Sequence, residues 1–147
     1  MDNLKLENQL CFPLYLSAKE LTRVYDKYLK ELNLTYTQYI VMMYFWNKKE
    51  SNVKELSKTL IIDSSTLTPL LVKLENKGYI KREKSNQDER NLNITLTKVG
   101  ENLKEKAKII PNKVGKCVGL SSDEAKKLYE LIYKVLNNIL MEERNGS

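Results

Sequence analysis

The chain has 147 residues, of which 41% are hydrophobic, enough for one ordinary domain with a core and too few for two independent ones. Lysine and arginine outnumber the acids 25 to 19, and the surplus of six favours an acidic partner such as nucleic acid. With no histidine, and two cysteines far apart that form no CxxC pair, the composition excludes ordinary zinc ligand sets, Ser-His or Cys-His catalysis and a disulfide framework, so neither metal nor other cofactor is expected.

The opening MDNLKLENQL lacks a signal peptide's basic start and long apolar core, and no later stretch approaches a membrane span. A cytoplasmic protein is expected, in a compartment where thiols are normally reduced and an oxidation event carries information. Leu6, Leu10, Leu14, Leu21, Val24, Tyr25, Tyr28, Leu29 and Leu32 recur at helical intervals, with Asn33 as a stop, and predict a helix over 8–32. Pro13 requires either a start close to Leu10, with the proline in the first turn, or a bend. The first alternative places Cys11 at a helix amino terminus.

Thr35 opens a second helix through Tyr39, Ile40, Met43, Tyr44 and Trp46, which ends in the polar cluster Asn47 to Asn52. A short third helix runs from Val53 to Leu60. Asp63, Ser64 or Ser65 caps a fourth, in which Pro69 is expected early enough that its missing donor costs little. Leu67, Leu70, Leu71 and Leu74 give that helix its buried face, and Gly78 suits the positive backbone angle just past its end. Tyr79–Glu83 and Leu92–Leu96 read as two short strands joined by the polar turn from Lys84 to Asn91, a β hairpin. Thr97 begins a helix with Val99, Leu103 and Ala107 inward, and Pro111 and Gly115 are expected to break it. Ser121 with Glu124 forms a capping box for a last helix to about Glu143. The charge follows no element: residues 1–47 balance at five against five, and 48–90 and 91–147 each hold ten basic residues against seven acidic.

The fold class is therefore mainly α with a small β hairpin, and two short helices followed by a hairpin form the pattern of a winged helix-turn-helix, whose second helix enters the major groove of double-stranded DNA. On that helix Ser64, Ser65, Thr66, Thr68 and Lys73 are placed to bond phosphates or base edges, with Pro69 among them. The plainer reading is a surface helix with Ser and Thr caps. In the wing, Lys84 is a candidate DNA contact and Arg90 a candidate to reach the minor groove, with Asp88 orienting the guanidinium, against the plainer reading of a solvated turn with a surface ion pair.

Asp88-Glu89-Arg90 followed by Leu96-Thr97 and Gly100 resembles the wing signature of the MarR family of transcription regulators. Asn8-Gln9-Leu10-Cys11-Phe12, Leu34-Thr35-Tyr36-Thr37-Gln38-Tyr39 and Leu67-Thr68-Pro69-Leu70-Leu71 resemble its organic-hydroperoxide-sensing OhrR branch, including the staphylococcal one-cysteine relatives. The likeness runs from about Leu6 to Leu140, and Pro13 departs from it, since a helix-compatible residue usually follows the Cys-Phe pair. It implies that Cys11 is the peroxide sensor and that hydroxyls of Tyr15, Tyr25 and Tyr36 hold its thiolate. Phenolic hydrogen bonds and a helix amino terminus do favour the thiolate of a cysteine, whose ordinary pKa is about 8.5. Tyr15 lies one turn from Cys11, but Tyr25 lies roughly 21 Å away at the helical rise and reaches it only from a second subunit, so the tyrosine set implies a homodimer. Cys117 occupies a location similar to the resolving cysteine of two-cysteine members, the alternative being a bystander thiol beside Val114 and Val118.

The expected organisation is one domain over 1–147, with a winged-helix part at about 35–97 and dimerisation helices at about 6–32 and 98–143. The expected function is a redox-sensing repressor, not an enzyme: the reduced homodimer binds a palindromic operator, and oxidation of Cys11 by organic hydroperoxide releases it. The alternatives are a ligand-responsive or global regulator of the same family without a dedicated peroxide switch and, from another class, a thiol peroxidase. The hairpin speaks against the last, since a peroxiredoxin needs alternating strands and helices around its cysteine.

Overall fold

A computed structural model of the chain describes residues 3–84 and 92–146. It divides into two compact units, 1–110 and 111–147. The first carries α1 (Cys11–Leu29), α2 (Tyr36–Lys48), β1 (Glu50–Asn52), α3 (Val53–Leu60), α4 (Ser64–Asn76), β2 (Ile80–Lys84), β3 (Leu92–Leu96) and α5 (Lys98–Ala107). Then α6 (Ile110–Val118) begins at the boundary, and α7 (Ser122–Arg144) fills most of the second unit.

Proline decides where α1 starts. Leu6–Asn8 form a 3-10 turn, and the α-helix begins at Cys11, so Pro13 is its third residue, where an amide has no partner to lose. Residues 8–10 thus fall outside the helix that their leucine spacing suggested. At the other end Lys30–Leu32 tighten into a 3-10 turn, and Asn33, at φ 53°, stops the run. Thr35 opens α2 with a reciprocal capping box: its hydroxyl accepts from the Gln38 amide, and the Gln38 side chain accepts from the Thr35 amide.

The winged helix-turn-helix is present, with one strand more than the hairpin expected. Glu50–Asn52, read from sequence as polar loop, pairs antiparallel with β3 in the register Ser51↔Ile94, giving a sheet of order β1-β3-β2. Three polar residues carry no alternation to betray a strand; pairing with β3 and the 3.0 Å bond between the Tyr44 and Ser51 hydroxyls hold them there. Between α3 and α4, Ile61 adopts φ 56°, a left-handed conformation costly for a β-branched residue, and Ser57 donates to the Ile62 carbonyl across the same turn. Asp63 is the residue that precedes α4, which makes Pro69 its sixth residue and not part of its first turn. The Ser65 carbonyl consequently has no amide four residues on to accept from, a larger cost than the sequence suggested.

Leu67, Leu71 and Leu74 of α4 are fully buried with Leu29, Val41, Met42, Phe45, Leu56 and Ile94, and this core fixes which side of α4 faces outward. Gly78, at φ 80°, ends α4 in a Schellman motif, in which the Tyr79 amide donates to the Leu74 carbonyl and the Gly78 amide to the Glu75 carbonyl.

In α5 the inward face is Gly100, Leu103 and Ala107; Val99, expected inside, is 58% exposed. A glycine adds nothing to an apolar pattern, so the four-residue spacing from Val99 was mistaken for the core face. The Gly100 carbonyl accepts from the Trp46 indole at 2.8 Å, and a β carbon at residue 100 would collide with the Tyr79 carbonyl oxygen. Nor do Pro111 and Gly115 break a helix: the break comes at 108–109, and both lie within α6, the proline in its first turn. In the second unit Gly119, at φ 68°, follows the end of α6, and Ser121 and Glu124 form the expected capping box for α7.

Gly100→Ala is expected to lower unfolding stability by about 1–3 kcal/mol, because the Tyr79 backbone must move to admit the methyl group. Urea denaturation checks this; an unchanged midpoint would contradict the close approach.

Candidate nucleic-acid interface and thiol site

Because the leucines of α4 point inward, Ser64, Ser65, Thr66, Thr68, Pro69 and Lys73 are all exposed on its opposite side. These are the residues that the sequence nominated for DNA, and the helix gathers them on one outward surface. Thr68 is partly committed, donating its hydroxyl proton to the Ser64 carbonyl at 2.8 Å and leaving its oxygen as an acceptor. Lys84 is exposed at the end of β2, opposite Leu92. Asp88 and Arg90 lie outside the described residues.

What sequence did not reveal is how α4 is tied to its neighbours. Glu75 accepts from the Arg82 amide at 2.8 Å and from the guanidinium at 3.1 and 3.3 Å, joining α4 to β2. The Arg82 backbone bond, together with its side-chain bond and charge, outweighs partial burial and holds the Glu75 carboxyl below the usual carboxylate range. Thr97 accepts from the Gly100 amide and donates to the Gly78 carbonyl, linking the start of α5 to the end of α4. A glutamate and an arginine seven residues apart, across a helix end and a turn, give no periodic signal.

Cys11 is the first residue of α1 and is exposed, as is Tyr15 one turn later, at 63%. Tyr25, near the other end of α1, packs on Tyr36, the first residue of α2, with ring centroids 4.7 Å apart. Tyr39, which the sequence did not single out as a site residue, completes a cluster with both at 5.8 and 6.3 Å and touches Trp46 edge-on at 6.2 Å. Its signal was its place one turn after Tyr36. Burial, and then the neighbouring Tyr36, push the Tyr25 phenol above its ordinary pKa, so it stays a neutral donor at pH 7. The structure thus brings Tyr25 to Tyr36 and places Tyr15 one helical turn from Cys11. It does not unite the two pairs, since fourteen residues of unbroken helix set Cys11 about 21 Å from Tyr25.

Cys117, expected in a break between helices, is instead the penultimate residue of α6 and exposed. The reason is the same first-turn proline that lets α6 run on from Ile110. On α7, Leu128, Leu131, Ile132, Val135 and Ile139 are each between 40% and 61% exposed and recur at helical spacing. Among the described residues no helix is long and apolar enough to cross a membrane.

Residues 23–107 match the family model described as transcriptional regulator SarA/Rot. The chain is 45% identical to the HTH-type transcriptional regulator SarZ of Staphylococcus haemolyticus over 90% of each protein. It is 41% identical to the organic hydroperoxide resistance transcriptional regulator of Bacillus subtilis, over 94% of each. Among solved structures it resembles AbfR of Staphylococcus epidermidis: the reduced form bound to DNA matches with TM-score 0.76 at 34% identity, covering 92% of this chain and 94% of that one. The disulfide form matches with TM-score 0.67 at 33% identity, covering 92% of each.

Glu75→Gln is expected to cost about 1–2 kcal/mol near neutral pH, discounted for partial exposure. Since the folded carboxyl titrates below its unfolded value, the contribution is full above about pH 4.3 and fades as pH falls through the lowered folded value. Melting curves of both proteins between pH 7 and pH 3 check this: the gap should close on acidification, and a gap independent of pH would contradict it.

Proposed function

The chain belongs to the SarA/Rot family of transcriptional regulators, built on the MarR-type winged helix, and from that premise we propose that it is a homodimeric, thiol-switched repressor of a palindromic operator. Its relatives are named as transcriptional regulators, and the exposed surface of α4 supports major-groove reading of double-stranded DNA by Ser64, Ser65, Thr66 and Lys73, with Lys84 and Arg90 serving the wing. The exposed start of α1 in the first unit and the apolar stripe on α7 in the second are each a surface for a second copy to cover.

The observation that carries the switch is the tyrosine pair. Tyr25 and Tyr36 are in contact with each other and a helix length away from the thiol of their own chain. In a dimer that lays two copies of α1 alongside, these hydroxyls donate to the Cys11 sulfur of the partner subunit, while Tyr15 serves the thiol of its own chain. The sulfur attacks the outer oxygen of an organic hydroperoxide; the O–O bond breaks, Cys11 becomes a sulfenic acid, and the alkoxide leaves as an alcohol after taking a proton. Cys117 of the partner subunit then displaces water from the sulfenic acid to form an intersubunit disulfide. A change at either sulfur alters how the two copies meet and therefore the spacing of the two α4 helices, which must match half-sites one helical turn apart. A hundredfold loss of DNA affinity requires about 2.7 kcal/mol of difference between the two states. The likeness to a hydroperoxide-resistance regulator and to a protein solved in reduced DNA-bound and disulfide forms supports this reading.

Cys11→Ser is expected to bind operator DNA as the reduced wild type does and to keep it in the presence of cumene hydroperoxide, in gel-shift or anisotropy measurements. Release from that variant would favour a ligand-responsive or global regulator of the same family without a dedicated peroxide switch. On a nonreducing gel the treated wild type should run at dimer mass and Cys117→Ser at monomer mass; monomer mass for both would remove Cys117 from the scheme.

A further inference from the structure

Resting on that reading, we propose that Lys77 is a positioning residue that couples the tyrosine pair to the recognition helix. Lys77 caps the carboxyl end of α4, and its ammonium crosses to the start of α2, donating to the Asn33 carbonyl at 2.6 Å and to Gln38 Oε1 at 2.8 Å. That Gln38 oxygen is the one that accepts from the Thr35 amide at 3.1 Å, so the same atom closes the capping box of α2 and receives the lysine. Gln38 is buried. Two residues beyond Lys77, the Tyr79 hydroxyl donates to the Leu32 carbonyl at 3.0 Å. Three hydrogen bonds from Lys77 and Tyr79 thus grip the segment 32–38.

The same segment carries Tyr36, which touches Tyr25. A displacement of Tyr36 relative to Tyr25 shifts the first turn of α2, where Gln38 lies, and the turn at Asn33 that leads into it. The ammonium is bonded to both, so the shift is delivered to the end of α4. A helix of 13 residues is about 20 Å long and rigid at this scale, so moving its carboxyl end re-aims the exposed residues at its amino end. Partial burial and the nearby Lys73 make this an unfavourable place for a cation, an unneeded cost if apolar packing alone had to close the helix end.

The test measures the affinity of full-length reduced and cumene hydroperoxide-treated protein for a fluorescein-labelled palindromic duplex, selected by the reduced protein from a random pool. Wild type, Lys77→Met and Tyr79→Phe are compared by anisotropy. Treatment is expected to weaken wild-type binding by about a hundredfold, but Lys77→Met by no more than about tenfold from a reduced affinity close to wild type, with Tyr79→Phe between them. Variants that keep the wild-type ratio, or that weaken reduced and treated binding by the same factor, mark the clamp as scaffold only and overturn the inference. Treated wild type that holds its DNA instead overturns the sensing reading, and the inference with it, before any variant is compared.

Discussion

Nineteen residues of unbroken helix from Cys11 to Leu29 hold Cys11 and Tyr25 apart. Helical rise is not negotiable: a cysteine at the first position and a tyrosine fourteen residues later cannot meet while the helix is intact. Pro13, which threatened to bend it, sits where a proline costs nothing and so secures the helix start. On the proposed reading, a site split in this way is completed by a second copy, which would tie redox chemistry to assembly, and assembly to the spacing of two DNA-reading helices.

The reading helix, for its part, is held by polar ties as well as by its leucines. Glu75 and Arg82 fix it to the wing strand, Thr97 joins the turn after it to α5, and Lys77 and Tyr79 join its end to the turn before α2. Apolar packing sets which face of α4 is outward, and directional hydrogen bonds connect its end to the neighbouring elements. The tyrosine cluster runs on through Tyr39 to Trp46, whose indole binds the Gly100 carbonyl, so the region beside Tyr25 and the base of the winged part share one continuous set of contacts.

Much of this could be read from the residues, and where reading stopped is instructive. Thr35 and Ser121 opened their helices as expected because capping chemistry is local, and the leucines of α4 gave its inward face because their period is strong. Gly78 ended α4 for the reason glycine usually does. β1 was missed because three polar residues become a strand only through their partner, and the face of α5 was misjudged by one residue because its central contact is a glycine. Prolines misled twice in opposite senses: Pro111, expected to break the helix that Thr97 opens, lies in the first turn of α6, while Pro69 lies deeper in α4 than expected. Lys77 and Gln38 are 39 residues apart, and no pattern in the chain links them.

The split site is tested most directly by a mixed dimer. One copy carries Cys11→Ser and the other Tyr25→Phe with Tyr36→Phe, the two copies are separately tagged and purified together, and oxidation of Cys11 by cumene hydroperoxide is followed by peptide mass spectrometry. A site shared between subunits leaves one complete set in the mixed dimer, so its single Cys11 oxidises at the wild-type rate while the doubly tyrosine-substituted homodimer lags. Equal, slow oxidation in the mixed dimer and that homodimer would show that the thiol takes nothing from its partner's tyrosines.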